Sequence, residues 1–333
     1  MRRMRFGIFI PQGWRHDLVD IEPEQHWPTM KRLAQAADAG PWESLWVYDH
    51  FHTVPEPTEE ATHEAWSLMS AFGAVTERIR LGQMCTCMSY RNPAYLAKVA
   101  ATVDHVSGGR LEMGIGGGWY EHEWRAYGYG FPEVKERLGR LREGVEIFRQ
   151  AWTTGEATLD GKYYQVSGAR VRPLPVQDGG IPIWVAGGGE QVTLRIAARY
   201  ARYTNFAAGD IEAWKRKSEL LAQHCAELGT DFGAITRSAN FNTIVAETEA
   251  EAEERLRALE ERISRFVSPG AARGFIGQFR GEQGLVGTPE QVIEKLRERE
   301  AVGLAYTICY FPDTAYDRAS AELFEREVIP ALS

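Results

Sequence analysis

The sequence predicts an α/β fold, and within that class a (β/α)8 TIM barrel with inserted segments that forms one domain over residues 1–333. Apolar runs of strand length alternate eight times with segments whose apolar residues recur at helical spacing. The strand runs are apolar throughout, which is typical of parallel strands covered by helices. The rival class, a doubly wound dinucleotide-binding sheet, requires a G-x-G-x-x-G fingerprint, and Trp119 stands where its third glycine belongs.

The first half of the chain supplies four strand and helix pairs. The strands are predicted in the runs FGIFI, SLWVYDHF, IRLGQMC and RLEMGIG. The first helix spans His26 to Ala39 and is stopped by the Gly-Pro pair that follows it. The third helix has Asn92 as its predicted cap and Pro93 in its first turn, where a missing amide hydrogen is tolerated.

The second half continues the same alternation but carries two predicted insertions. A long amphipathic helix ends near Trp152, and a segment rich in glycine and proline over 153–179 is predicted to leave the barrel as short strands. The barrel resumes with the runs IPIWVAG, ARYTNF, SANFNTIVAE and LAYTICYF. One helix between them opens with a capping box of Thr248 and Glu251. The second insertion is predicted over 266–286.

Composition favours small-molecule chemistry. Hydrophobic residues make up 44% of the chain and charged residues 25%, and the formal net charge is −8. A surface of that sign repels nucleic acid and anionic lipid, so neither is expected as a partner.

The apolar run after the basic N-terminus is too short for a secretory signal, and no run is long enough to cross a bilayer. A cytoplasmic location is therefore expected, with the four cysteines kept as thiols.

The carboxyl ends of barrel strands are where catalytic residues are expected, and VYDHFH is one such end. His50 is predicted to exchange a proton near neutral pH, beside Asp49. His50 and His52 also form an H-x-H pair, as in metal-dependent hydrolase barrels. Such sites need further histidines from later strands, and beyond His122 only His224 remains, inside a predicted helix. No metal site is therefore predicted.

Two glycine-rich strand ends are candidates for holding a cofactor. The run AGGGEQ places Gly187, Gly188 and Gly189 before a helix, where unpaired amides and the helix dipole favour an anion. The run GIGGGWYEHEW is predicted to let a planar ring pass close to the backbone. Aromatic side chains after it are expected to form apolar walls, although several of them are expected only to pack the loop.

These residues carry a resemblance to a known family. The stretches LGQMCTCMSYRNPAYLAKVAATVDHVSGGRLEMGIGGGWYEHEWRAYGYGFP, IPIWVAGGGEQVTLRIAARYA and FGIFIPQG resemble the bacterial luciferase-like monooxygenase superfamily, in its branch of F420-dependent oxidoreductases. The resemblance implies a luciferase-like TIM barrel, usually homodimeric, that binds the deazaflavin F420 or a flavin at the carboxyl ends of its strands. It also implies a non-prolyl cis peptide at Met84 and Cys85, an Asp-His pair at Asp49 and His50, and a phosphate loop at 187–189.

The predicted site residues follow from the strand ends and this resemblance together. Catalysis is assigned to His50 and Asp49. The residues predicted to bind the cofactor are Asp49, Met84, Cys85, Thr86, Gly116, Gly117, Tyr120, Ala186, Gly187, Gly188 and Gly189. The residues predicted to line the substrate pocket are Trp14, Phe51, Trp119 and Trp124.

One departure from the family pattern bears on the substrate. The F420-dependent sugar-phosphate dehydrogenases carry a catalytic glutamate where this chain has Trp119, and an active-site tryptophan where this chain has Val54. Oxidation of a sugar phosphate is therefore not expected. An indole at the position of the acid indicates a flatter, less polar substrate.

The resulting hypothesis is hydride transfer between F420 and a small unsaturated or carbonyl compound, with His50 as proton donor and Asp49 orienting the site. Two alternatives stay open at this point. One is an FMN-dependent monooxygenase, which shares the barrel but activates oxygen. The other is a non-catalytic protein that binds a flavin or deazaflavin, for which degraded strand ends would be expected.

Overall fold

The computed structural model describes residues 3–333, so the first two residues of the basic N-terminus lie outside the description. The architecture is the (β/α)8 barrel class that the sequence predicts, with strands and helices alternating along the chain. The strands are β1 Arg5–Phe9, β2 Ser44–Val47, β3 Arg80–Gln83, β4 Thr86–Cys87, β5 Leu111–Gly116, β6 Glu156–Asp160, β7 Gln165–Arg170, β8 Ile183–Ala186, β9 Tyr203–Asn205, β10 Thr236–Val245, β11 Gly284–Gly287 and β12 Tyr306–Tyr310.

The helices follow the strands as predicted. They are α1 Pro23–Ala39, α2 Ala65–Val75, α3 Pro93–Val106, α4 Glu121–Ala126, α5 Val134–Thr154, α6 Thr193–Tyr200, α7 Ile211–Leu228, α8 Glu249–Ser264, α9 Pro269–Arg280, α10 Pro289–Ala301, α11 Ala319–Leu323 and α12 Ile329–Leu332. A π-helical turn, Phe324–Val328, joins the last two. The predicted cap at Asn92 is confirmed, since its side chain accepts from the amides of Ala94 and Tyr95. At Thr248 the side chain accepts from the amide of Glu251, which is one of the two bonds of the predicted capping box.

The chain divides into two compact units. The first unit contains the residues up to Glu64 together with Asn205–Glu219 and Thr236–Ser333. Its strands run in the order β11-β10-β12-β1-β2, and the pairs within it are parallel. The strands β1, β2 and β12 are buried almost throughout, because helices cover one face and barrel-interior side chains fill the other.

The second unit contains Ala65–Thr204 and Leu220–Ile235. Its strands run in the order β3-β5-β8-β9, with the short β4 paired to β5 beyond the end of β3. Every residue of β5 is buried. Strands β6 and β7 form a separate antiparallel hairpin with mostly exposed side chains. This hairpin lies in the first segment that the sequence predicts as an insertion, 153–179.

The second predicted insertion, 266–286, needs a correction at its end. Helix α9 occupies most of it, but β11 begins at Gly284 and pairs in parallel register with β10, with Leu285 opposite Thr243. The last residues of the segment therefore belong to the main sheet. The sequence did not indicate this strand because GLVG is short and two of its four residues are glycines, which lack the β-branched or aromatic character of a typical strand.

A buried carboxylate holds the connection after the hairpin against the second unit. Asp104 on α3 is 0% exposed, and it accepts hydrogen bonds from the amides of Leu111, Val176 and Gln177. The side-chain amide of Gln177 donates a further bond of 2.8 Å to the same group. One side chain thereby satisfies three backbone donors that could not otherwise be buried.

Replacing Asp104 by alanine is expected to lower the free energy of unfolding by about 3–5 kcal/mol. The reason is that several buried amides would lose the same carboxylate acceptor at once. Urea denaturation followed by circular dichroism measures this. Asp178→Ala is the matched control, since Asp178 is exposed and lies on the same connection. A loss for Asp104→Ala no larger than that for the control would contradict the assigned role.

Candidate functional site

The loop after β1 and the loop after β2 are tied together by one glutamine in the first unit. Gln12 is 1% exposed, and its side-chain amide donates to the carbonyls of Tyr48 and His63, at 2.8 and 3.0 Å. Its carbonyl oxygen accepts from the amide of Tyr48 at 2.5 Å. These bonds fix the strand ends that carry Trp14 and His50.

Trp14 and His50 lie face to face. Their ring centroids are 4.2 Å apart and the ring planes differ by 2°, so the indole sets the plane of the imidazole. Trp14 also packs on Tyr48 at 4.2 Å in a tilted arrangement. Its Nε1 is buried and donates to no group among residues 3–333. An unsatisfied buried donor beside a half-buried histidine is a group that a bound ligand would satisfy.

Asp49 and the residues after His50 complete this strand end. Asp49 is 1% exposed, directly beyond β2, whereas His50, Phe51 and His52 are half-buried. The first unit therefore contains four predicted site residues, Trp14, Asp49, His50 and Phe51, on the loops that follow its first two strands. Within the described part of the chain, no three His, Cys, Asp or Glu side chains come together as metal ligands would.

A buried charged cluster beside Trp14 is missing from the sequence prediction. The guanidinium of Arg15 lies 4.1 Å from the ring centroid of Tyr310 and donates to Oδ1 of Asn242 at 2.7 Å. Asp17 accepts from the amide of Gly13 at 2.7 Å and from the Tyr310 hydroxyl at 3.1 Å. Burial raises the pKa of Asp17 despite these bonds. The available signal was the RHD triplet directly after a strand end.

Two histidine contacts hold the long loop after β2 in place. His16 is fully buried, with Nδ1 3.0 Å from the carbonyl oxygen of Val54. His26 Nδ1 lies 3.0 Å from His63 Nε2, and His26 Nε2 lies 2.9 Å from the carbonyl oxygen of Ile21. Because that carbonyl can only accept, neutral His26 donates from Nε2 and accepts from His63.

These contacts predict a pH dependence of stability. Burial lowers the pKa of His16 and of His63 below 6.5, and the charge of His26 lowers that of His63 further. The unfolded chain therefore binds more protons than the native one as the pH falls below about 6.5, and the free energy of unfolding falls with it. Urea denaturation at pH 7.5, 6.5 and 5.5 measures the slope. We expect His63→Gln to flatten it, and an unchanged slope would refute the assignment.

In the second unit, strand β3 ends in a bulge that is packed against alternate glycines of β5. The peptide bond between Met84 and Cys85 is cis, as the family resemblance implies. A side chain at Gly114 would overlap the carbonyl oxygen of Gln83, and one at Gly116 would lie 2.6 Å from Sγ of Cys85. The hydroxyl of Thr86 donates to the side chain of Gln83 at 2.8 Å and closes the bulge.

This packing gives the glycines of GIGGG a role that the sequence interpretation missed. They were predicted to make room for a planar ring, and a Cβ atom at Gly116 would also meet Cys85, while one at Gly118 would meet Cys87. Because side chains alternate along a strand, Gly114 and Gly116 on β5 face the same bulge. Their absent side chains are required by the protein itself, and Gly117 faces Leu138 on α5.

The aromatic residues after β5 divide into exposed and buried ones. Trp119 is 60% exposed and stacks on Tyr120, with centroids 5.2 Å apart. Trp124 is 0% exposed and packs edge-on against Phe131 and in a tilted contact with Tyr90. The prediction that Trp124 lines a substrate pocket is therefore not supported, because its indole is buried against the aromatic residues of the loop.

A buried glutamate beneath the same loop was also not predicted. Glu123 is 0% exposed and accepts from the hydroxyl of Tyr90 at 3.0 Å. Burial, together with the charge of Glu123, raises the pKa of Tyr120 to about 12, which keeps that phenol protonated and able to donate. The sequence signal was weak, since Glu123 is one of two glutamates in YEHE and the helical spacing alone does not distinguish them.

The predicted phosphate loop begins where β8 ends, at Ala186. Gly187 has φ +112°, a conformation that favours glycine, and it is exposed, whereas Gly188 is half-buried. Helix α6 begins only at Thr193, after a turn, and not directly at the glycines as predicted. The amide of Leu194 donates to the carbonyl of Gly189 at 3.0 Å, so one of the expected free amides is already used.

Comparison with protein families identifies similar proteins. A family model described as luciferase-like monooxygenase matches residues 4–306. Curated relatives named F420-dependent glucose-6-phosphate dehydrogenase include one from Nocardia farcinica, 38% identical over 180 residues that cover 51% of this chain and 48% of the relative. Another, from Mycobacterium avium, is 38% identical over 200 residues, covering 57% and 53%. The chain thus spans about half the length of the curated relatives it matches.

Solved structures share the fold over almost the whole chain. The monooxygenase RslO1 from Streptomyces bottropensis has a TM-score of 0.82 at 21% identity, covering 99% of this chain and 100% of the other. The F420-dependent tetrahydromethanopterin reductase from Methanopyrus kandleri has a TM-score of 0.77 at 20% identity, covering 99% and 100%. An F420-dependent secondary alcohol dehydrogenase has a TM-score of 0.78 at 19% identity, covering 99% of both chains. At such identities the likeness establishes the (β/α)8 barrel fold alone.

Proposed function

Because this chain belongs to the luciferase-like monooxygenase family, we propose that it is an oxidoreductase that transfers a hydride between coenzyme F420 and a small organic substrate. The observation that carries the proposal is the imidazole of His50, held in plane by Trp14 directly after a buried Asp49. The names of the curated relatives support F420 as the cofactor. F420, when bound, supplies the hydride.

The residues of the first unit are assigned to proton transfer. His50 is the proposed proton donor to the substrate, and Asp49 is the proposed orienting group. A general acid acts only within hydrogen-bonding reach of the reacting atom. An imidazole held in one plane therefore transfers its proton more efficiently than a mobile one. Trp14 supplies that constraint, and it and Phe51 are the proposed apolar contacts of the substrate.

The residues of the second unit are assigned to the cofactor. The bulge Met84–Thr86, the backbone at Gly116 and Gly117, and the Tyr120 hydroxyl are proposed to contact the ring system. The loop from Ala186 to Gly189 is proposed to bind its phosphate, with the exposed Gly187 and Gly189 letting an oxygen approach the backbone amides. The donor set consists of neutral amides and a phenol that stays protonated, which suits an anionic, planar ligand.

The substrate is proposed to be flatter and less polar than a sugar phosphate. Trp119 stands where the sugar-phosphate dehydrogenases carry an acid, and its exposed, Tyr120-stacked indole offers an apolar face instead of a carboxylate. A ring of this kind binds other planar apolar groups by stacking. Unsaturated and carbonyl compounds are therefore the proposed substrate class.

Titration of the purified protein with F420 and, separately, with FMN tests the cofactor assignment. We expect F420 fluorescence to be quenched on binding at micromolar concentrations, with no oxygen consumed when reduced F420 is supplied. Tight FMN binding with oxygen consumption would instead favour the monooxygenase. Tight F420 binding without turnover of a panel of enones and ketones would favour a non-catalytic binding protein.

We further propose that the enzyme is a cytoplasmic homodimer and that its partners are small molecules rather than nucleic acids or membranes. The net charge of −8 supports the exclusion of polyanionic partners. No helix among residues 3–333 combines the length and the apolar character needed to cross a bilayer. Light scattering of the purified protein tests the dimer, and a mass near 37.5 kDa would refute it.

A further inference from the structure

A basic cavity of about 260 Å³ lies on the outer helices of the second unit. Arg142 on α5 and Arg195 and Arg199 on α6 line it, together with Gln191 in the turn before α6 and Leu228 at the end of α7. None of its lining residues is acidic. Three guanidinium groups around one cavity contrast with the negative charge of the whole chain.

The charges of this cavity are only partly balanced within the described residues. Arg195 forms an ion pair of 2.5 Å with Glu227. Over the described range 3–333, neither Arg142 nor Arg199 forms an ion pair, and Arg199 lies over the Tyr200 ring at 5.2 Å. The hydroxyl of Tyr200 donates to Glu146, so it does not compete for the arginines. Like charges held together repel, and an anion between them removes that repulsion.

The size and place of the cavity indicate which anion it takes. Pockets for drug-sized ligands measure roughly 300–1,000 Å³, so this cavity suits a small acidic group and not a whole cofactor. The proposed phosphate loop ends at Gly189, and the cavity residue Gln191 follows it by two positions. Two residues span at most about 7 Å along the chain. An acidic extension of a molecule whose phosphate is bound at 187–189 would therefore reach it.

We propose that the cavity of Arg142, Arg195 and Arg199 binds carboxylates of an oligoanionic chain, supplied by the glutamyl tail of bound F420. The inference rests on the proposed function, since F420 carries its γ-linked glutamates beyond the phosphate. A free oligocarboxylate presents the same chemistry, and the test below distinguishes the two sources. Each guanidinium offers the paired N–H donors that match a carboxylate.

The test compares three ligands and three proteins. Each ligand is titrated by fluorescence. The first is F420 with several glutamates, the second is F420-0, which has the phosphate but no glutamate, and the third is the deazaflavin FO, which has neither. The proteins are the wild type, Arg142→Gln with Arg199→Gln, and Arg170→Gln as a control on the exposed hairpin strand β7. Thermal melts establish that all three are folded.

For the wild type we expect tailed F420 to bind roughly five- to tenfold more tightly than F420-0 at low salt, with the difference lost at 0.5 M salt. The double variant should bind the two forms within about twofold, and the control should behave as the wild type. A difference between F420 and F420-0 that survives in the double variant, or is absent in the wild type, would overturn the inference and leave the proposed function standing.

The remaining outcomes separate the inference from the proposed function. If neither F420 nor FO binds, the proposed cofactor is wrong. Tri-γ-glutamate alone is then titrated by calorimetry, and binding that disappears in the double variant would retain the cavity as a site for a free oligocarboxylate. Absence of that binding, too, would reject the site.

Discussion

Replacing His50 by alanine is expected to lower kcat by about 10²- to 10⁴-fold, the usual contribution of a positioned general acid, while the Kd of F420 changes by less than about threefold. The imidazole is assigned to the proton and not to the cofactor, so binding and turnover should separate. Steady-state kinetics with reduced F420 and an enone acceptor, alongside fluorescence titration, measure both quantities.

His52→Ala is the matched control for this prediction. His52 is half-buried like His50 and lies two residues further along the same loop, but Trp14 stacks on His50. The control should retain most of its turnover. If His50→Ala turns over as fast as the wild type, or if both variants lose activity equally, the role assigned to His50 is wrong.

Replacing Gly114 by alanine is expected to cost at least about 3 kcal/mol of the free energy of unfolding, and to reduce the yield of folded protein. The added methyl group would overlap the backbone carbonyl of Gln83, which cannot rotate away as a flexible side chain can. Urea denaturation of purified protein, or the soluble fraction where purification fails, measures the effect.

Gly270→Ala is the control for the Gly114 substitution. Gly270 lies in helix α9 with no atom near the position of an added methyl group, so alanine there should be neutral or stabilise by up to about 1 kcal/mol. A small effect at both positions would mean that the bulge after β3 can relax and does not depend on Gly114.

The positions of Gly114, Gly116 and Gly118 explain why the glycine-rich run was difficult to interpret from sequence. A glycine run signals close approach by some other group, but the pattern does not say which group approaches. Here the approaching groups are Gln83, Cys85 and Cys87 of the neighbouring bulge. They are close because β3, β4 and β5 are adjacent in the sheet, which a local pattern cannot encode.

The sequence by itself determined the fold class, the eight strand and helix units, the helix caps and the loops on which His50 and Gly187 lie. These follow from local periodicity and backbone chemistry, which act over a few residues. The tertiary structure alone decided the stacking of Trp14 on His50, the burial of Trp124, the pairing of β11 and the approach of Arg142 to the arginines of α6 around one cavity. Each of these depends on contacts between distant segments, and such contacts leave no regular spacing in the chain.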